Sequence, residues 1–292
     1  MRLVTRPDLD GLTCAVILSE CEAIDAVELV HPQDVSERRV AIGPEDILAN
    51  VPYHPECGMW FDNHLLTDPK AMPPTGFKGR YGKAPSAARL VYEHYLASHP
   101  RIARHEPLLA ETDRLDSAQL TIEDVVSPSG YVLLGFTLDP RTGLGSLREY
   151  FDSLLPALRQ RPIAEVLALP VVSERVTRMR EQDQAFKDAA LAHSRLEQHV
   201  VLTDFRPLDP IPVGNRFLIF TLFPKASVAV RLQRGPDRQR IAVSAGRSIL
   251  NRGSKANIGV LMSLYGAGAC LLPPETADAQ VREIVGALQR NG

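Results

Sequence analysis

Two rhythms of apolar and polar positions divide this chain, and one gives way to the other near residue 195. Arg2 to Thr5 predicts a short strand and Asp8 to Gly11 the turn that leaves it. Leu12 to Glu22 then carries helical apolar spacing, and the small residues Thr13, Cys14, Ala15 and Ala23 suit close packing on a sheet. Ala26 to Val30 and Gly58 to Phe61 predict further buried strands, whereas Ile47 to Val51, entered through Pro44-Glu45-Asp46, predicts a helical first turn. The opening third therefore reads as α/β with a mostly parallel sheet.

A helix is predicted from Pro85-Ser86 through Leu96, with Ala87, Leu90, Val91 and Tyr95 on one stripe, and a second from Ile102 to about Leu115. Leu144 to Arg161, Ile163 to Leu169 and Val172 to about Leu196 form a helical stretch interrupted at Pro162 and Pro170, where the imino acid removes a donor. Its last helix, with Arg175, Arg178, Arg180, Glu181, Asp183 and Lys187, reads as a solvated connector rather than a nucleic-acid contact. Beyond it, Val200 to Thr203, Phe217 to Phe223, Ser227 to Leu232 and Ile241 to Ser244 predict short strands, followed by helices over Ile258 to Leu264 and Ala277 to Leu288. The expected organisation is a parallel-sheet α/β domain over residues 1–195 and a smaller α+β domain over residues 196–292, with the site in the cleft between them.

At 292 residues and 45% hydrophobic, the chain can bury more than one core. A net charge of -2 supplies no broad basic field for duplex nucleic acid or an anionic membrane, so any polyanion must be met locally. Charged residues and a proline interrupt the first residues, and no apolar run reaches membrane-spanning length, which makes a cytoplasmic location the expectation. Cys14, Cys21, Cys57 and Cys270 form neither a CxxC pair nor a disulfide framework.

The chemistry concentrates in three acidic clusters within the first 117 residues. Asp8 and Asp10 follow the first strand, at the edge where open α/β sheets place ligands, and Gly11 lets the backbone turn tightly into the helix. Carboxylates there suit hard divalent cations. Met59-Trp60-Phe61 ends in Asp62-Asn63-His64, where His64 can meet a metal or a phosphoryl oxygen and Asp62 can orient it. Asp113 and Asp116 stand three apart late in a helix, one suited to a ligand and the other to a cap. Asp46 reads either as a helix cap or as a bridging carboxylate.

Taken in order, these clusters resemble the motifs of the DHH phosphoesterase superfamily, whose members include single-strand exonucleases, nano-RNases, exopolyphosphatases and manganese pyrophosphatases. Arg6-Pro7-Asp8-Leu9-Asp10 is similar to the first motif, Asp46 to the second, Asp62-Asn63-His64 to Asp-His-His and Asp113 to the fourth. Asn251-Arg252-Gly253-Ser254-Lys255 and Tyr265-Gly266-Ala267-Gly268 resemble the Arg-Ser stretch and glycine-rich loop of the small DHHA1 domain. The nearest flavour is the exopolyphosphatase-related branch. The resemblance implies a two-ion manganese site held by Asp8, Asp10, Asp46, Asn63 and Asp113, catalytic Asp62 and His64, and substrate contacts from Arg252, Ser254, Lys255, Gly266 and Gly268. It also implies hydrolysis of a phosphorylated small molecule, short single-stranded oligonucleotide, cyclic-dinucleotide product or polyphosphate, and is compatible with a homodimer.

The chain departs from that pattern where relatives carry histidine: Val4 lies four residues before Asp8, Asn63 stands inside Asp-His-His, and Ala269 and Cys270 close the glycine-rich segment. An amide oxygen is a weaker manganese donor than imidazole. Two classes of function follow. One is a metal-dependent phosphoesterase with an altered site, in which His31 or His54 could lend a replacement ligand. The other is a relative that binds a phosphorylated ligand or a protein partner without turnover.

Overall fold

The computed structural model describes the chain except residues 67–71, 140–141, 236–237, 265–268 and 291–292. It divides into two compact units, the first comprising Met1–Gln119, Pro128–Pro140 and Leu144–Thr177, the second Leu120–Ser127, Arg141–Gly143 and Arg178–Gly292.

The first unit begins with β1 (Arg2–Thr5), α1 (Leu9–Cys21), β2 (Ala26–Leu29), α2 (Pro32–Ser36), β3 (Asp46–Ala49), β4 (Met59–Asp62) and β5 (Gly79–Tyr81). Its five strands run in the order β2-β1-β3-β4-β5, all parallel. The strand order reverses between β1 and β3, and ligand sites of doubly wound sheets form just beyond the carboxyl ends of the strands at such a point. Every residue of α1 from Leu9 to Leu18 is buried. A helix enclosed on all sides has little need of a polar face, so its packing is set by neighbours rather than by amphipathicity.

One sheet face closes over Val4, Val30, Val35, Ile42, Leu48, Val51 and Trp60. The Trp60 indole is satisfied by donating to the Val51 carbonyl at 2.8 Å, and it stacks on Tyr81 with ring centroids 4.9 Å apart. Beside it, Gly79 takes φ +108, and a Cβ there would stand 2.0 Å from the Trp60 carbonyl oxygen, so only glycine fits this strand edge.

The helices that follow are α3 (Ala87–Tyr95), a 3-10 turn over Pro100–His105, α4 (Glu106–Asp116), α5 (Ile122–Val126) of the second unit, α6 (Gly130–Leu138), α7 (Arg148–Gln160) and α8 (Ile163–Leu167). Along α9 (Pro170–Glu181) the chain passes into the second unit, which continues with α10 (Asp183–Ala192), β6 (Ser194–Glu197), β7 (Val200–Asp204), α11 (Leu218–Leu222), β8 (Val228–Arg234), β9 (Ile241–Arg247), α12 (Ile258–Ser263), β10 (Ala269–Leu272) and α13 (Pro274–Arg290). Its mixed sheet has the order β10-β9-β8-β7-β6, with only β7 and β8 parallel. Val200, Val228, Val230, Val243, Ile284 and Leu288 lie in the core it shares with α13. Among the described residues no helix is long and apolar enough to cross a membrane.

Three expectations are corrected. Ile47 to Val51 is not a helical turn: Asp46–Ala49 is a central strand whose Ile47, Leu48 and Ala49 are wholly buried. A strand covered on both faces shows a continuous apolar run with no alternation, which the sequence does not distinguish from a buried helical turn. Phe217 to Phe223 is the reverse case, a short helix with Leu218, Ile219 and Phe220 buried. The polar helix expected to reach Leu196 ends at Ala192, and Ser194–Glu197 instead pairs with β7 as an edge strand. The apolar pattern does not announce α6, because its run from Val132 to Leu138 is entirely buried and shows no helical period.

Candidate active site

Asp8 caps α1, with its Oδ1 accepting from the Gly11 N–H at 3.0 Å. The turn is tight: a Cβ on Gly11 would stand 2.1 Å from the Arg6 carbonyl oxygen and 2.7 Å from Thr5 Oγ1. Asp8 Oδ1 also accepts from Asn50 Nδ2 at 2.8 Å, and its Oδ2 pairs with Arg6 Nε at 3.2 Å. Asn50 follows β3 directly and takes φ +59, a conformation asparagine tolerates better than most residues. The Asp8–Asn50 bond therefore joins the carboxyl ends of β1 and β3 at the reversal of strand order.

Asp10 is buried inside the first turn of α1 and faces the start of α3, accepting from the Ala87 N–H at 3.0 Å and the Ala88 N–H at 2.8 Å. Burial, and then the charges of Asp116 and Asp8, hold its carboxyl well above the usual range, opposed by those two N–H donors. Asp116 is raised by burial among protein atoms and by Asp8, while His64, Asn63 and Arg6 pull the other way; its residue surface keeps contact with solvent, which moderates the effect. These mutual influences place Asp8, Asp10 and Asp116 in one electrostatic cluster.

Asp62 ends β4, almost wholly buried, and its Oδ1 meets His64 Nδ1 at 2.7 Å. That hydrogen bond raises the half-exposed imidazole to about 9, with the charges of Asp62 and Asp116 adding to it and burial and Arg6 opposing. Asn63 donates from Nδ2 to the Ala84 carbonyl at 3.2 Å and to Asp116 at 3.4 Å.

Two expected ligands are engaged by other side chains. Asp46 begins β3 rather than ending it, and Arg2, its register partner on β1, grips it from Nε at 2.9 Å and Nη2 at 2.7 Å. Four residues of strand, about 13 Å, separate it from Asn50, the residue that β3 delivers to the site. Asp113 is held by Arg89, from Nε at 2.8 Å and Nη2 at 2.6 Å, and by the Ser86 hydroxyl at 2.6 Å. Asp116, one turn on, is the α4 carboxylate that joins the cluster. His31 Nδ1 accepts from the Gln33 N–H and His54 Nδ1 from the Glu56 N–H, each in a local turn. Val4, where relatives carry histidine, is core.

Asn50 and Arg6 are absent from the ligand set that the sequence motifs imply, yet both touch Asp8. Taking Asp46–Ala49 as a strand would have exposed Asn50 as the strand-end equivalent of Asp8 and Asp62. In the second unit, Arg252 and Lys255 are exposed on the loop between β9 and α12, while Ser254 is buried and its Oγ accepts from the Ala256 N–H at 3.2 Å. Gly266 and Gly268 lie outside the described residues.

Whether a metal fits can be judged from the donors. Among the described residues no three Asp, Glu, His or Cys side chains are grouped to hold an ion. The cluster nevertheless contains Asn50 Oδ1 and Asn63 Oδ1, both buried without a hydrogen-bond partner among the described residues. Buried amide oxygens of this kind are costly unless they meet a donor or a cation. These amide oxygens and the Asp8, Asp10 and Asp116 carboxylates are all oxygen donors, the chemistry that a hard divalent cation such as manganese or magnesium takes.

No family model and no curated protein matches the chain. Solved structures do. The pGpG-specific phosphodiesterase PggH from Vibrio cholerae is similar over 100% of this chain and 99% of its own, at 35% identity and a TM-score of 0.76. RecJ from Thermus thermophilus, in complex with Mn2+, is similar over 99% of this chain and 52% of its own, at 14% identity and a TM-score of 0.57. An exonuclease RecJ bound to manganese matches 99% of this chain and 90% of its own, at 14% identity and a TM-score of 0.50.

Proposed function

This chain belongs to the DHH/DHHA1 phosphoesterase superfamily, and we propose that it hydrolyses the phosphodiester of short linear dinucleotides such as pGpG at an altered, oxygen-rich metal site. The observation that carries the reading is the end-to-end likeness to a phosphodiesterase acting on pGpG, together with the carboxylate cluster at the sheet's switch point. The substrate has one internal phosphodiester, so its hydrolysis yields two mononucleotides.

Asp8, Asp10 and Asp116, with the Asn50 and Asn63 amide oxygens, are the residues that would hold the cation. When bound, manganese supplies positive charge for the phosphoryl oxygens and acidifies water. Two departures support one firmly held ion and a weaker second, Asn63 in place of an imidazole and Val4 turned into the core, and Asn50 at the β3 end adds only a neutral amide.

His64 supplies the proton chemistry. Its Nδ1 is fixed on Asp62, which leaves Nε2 to donate toward a phosphoryl or leaving oxygen as the bridging P–O bond breaks. Arg6, anchored on Asp8, contributes a second positive group beside the cluster to steady a phosphate. In the second unit, Arg252, Ser254 and Lys255 are proposed as substrate contacts.

Manganese titration of the full chain, followed by chromatography of pGpG digests, tests this. Hydrolysis to GMP that needs manganese, and that falls on the order of 100-fold or more in His64→Gln and Asp62→Asn, is the expected result. No turnover of pGpG with saturating manganese defeats the proposal.

A further inference from the structure

The N-terminus of α3 is where Asp10 finds its donors, and that terminus is itself locked from outside. Ser86, wholly buried, caps α3 by accepting from the Arg89 N–H at 3.0 Å. Its hydroxyl proton is spent on Asp113 Oδ1 at 2.6 Å. Asp113 Oδ2 takes both Arg89 Nε and Nη2, and Arg89 Nη2 reaches Glu106 at 3.1 Å. The hydroxyl's single proton is thus committed to Asp113 and one of its lone pairs to the Arg89 N–H. Rotating it to serve anything else would break either the cap or the link to α4.

The two backbone donors that meet Asp10 belong to Ala87 and Ala88, immediately after Ser86. A carboxylate on the first N–H groups of a helix is favoured by their unsatisfied hydrogens and by the helix dipole. The direction of those N–H groups depends on where the cap is pinned. Resting on the proposed metal-dependent function, we infer that Ser86, Asp113 and Arg89 form a positioning lock that holds the start of α3 against Asp10 and so sets the orientation in which Asp10 meets the cation. Asp113 is then a positioning residue, acting through Ser86 and two backbone amides. Its side chain is only 14% exposed and accepts once from Ser86 and twice from Arg89, which fixes it in place behind the cap.

The experiment compares Ser86→Ala, Ser86→Thr, Asp113→Asn and Asp10→Asn in the full chain. Manganese affinity is read by the EPR signal of the free ion, pGpG turnover by chromatography, and stability by urea unfolding. Ser86→Ala and Asp113→Asn should each weaken manganese binding by about tenfold or more and lower kcat with KM for pGpG unchanged, as expected for groups that orient a ligand from behind. Ser86→Thr keeps the hydroxyl and should restore affinity to within about twofold of the parent, the spread left by a preserved partner. In urea, Ser86→Ala combined with Asp10→Asn should cost less than the two changes summed, because the lock no longer has a carboxylate to hold. The inference is overturned if Ser86→Ala and Asp113→Asn lose stability alone and keep parental manganese affinity, or if the urea cycle is additive. A parent chain with neither manganese binding nor pGpG turnover would defeat the proposed function, and the urea cycle would still decide the lock.

Discussion

Asn50 Nδ2 donates to Asp8 Oδ1 at 2.8 Å, tying the end of β3 to the cap of α1 with a neutral amide where two strand ends meet. Replacing that donor by a carboxylate sets two anions at hydrogen-bond distance, which is unfavourable unless a cation or proton intervenes. Asn50→Asp should therefore lower the thermal midpoint in EDTA and recover it with manganese, while raising manganese affinity above that of the parent. Thermal unfolding with and without the ion, alongside the affinity itself, checks this. A midpoint indifferent to manganese would show that Oδ1 of Asn50 does not face the ion.

Asp46 belongs to the fold. Burial pushes its carboxyl up, but the Arg2 hydrogen bond, the Gly43 N–H and the Arg2 charge outweigh burial and leave it below the ordinary 3.8. A carboxyl lowered by folding contributes stability above its unfolded pKa, and that contribution is lost as pH falls through the folded value. Asp46→Asn should cost about 2 kcal/mol at pH 7, typical of hydrogen bonds to a charged group. The gap to the parent should narrow below about pH 4, and manganese affinity should be unchanged. Urea unfolding at pH 7 and pH 3, with a metal titration, checks both halves.

Histidine placed at the two departures should behave oppositely. Asn63→His sits beside Asp116 and should raise manganese affinity, since imidazole is the better donor. Val4→His buries an imidazole among Val30, Leu48 and Trp60 and should destabilise the fold by about 3 kcal/mol without gaining metal. Separate titration and unfolding of the two single variants distinguishes them.

Gly11→Ala offers a test of the turn alone. The added Cβ meets backbone oxygen at 2.1 Å, which no rotamer change relieves, so a loss of about 3 kcal/mol or more is expected together with weakened manganese binding. An alanine variant that unfolds at the same urea concentration as the parent would mean that the β1–α1 turn moves to accept it.

Residue order alone determined much of this protein: a strand ending before Asp8, the helix behind Asp10 and Gly11, the strand delivering Asp62 and His64, and the change of rhythm ahead of Val200. These are encoded locally, in apolar periodicity and in the few residue types that turns and caps accept. Tertiary packing decided which carboxylates gather at the strand ends and which are held away by arginine. Asp46 and Asn50 flank one apolar run, and only the parallel pairing of β3 with β1 and β4 shows which end faces the ligand edge. Asp113 and Asp116 share a helix, and Arg89 and Ser86, 24 and 27 residues earlier, capture the first and leave the second to the cluster. Periodicity reports which residues are buried together, whereas the partner of a buried charge is chosen by elements that the chain brings back from far along its length.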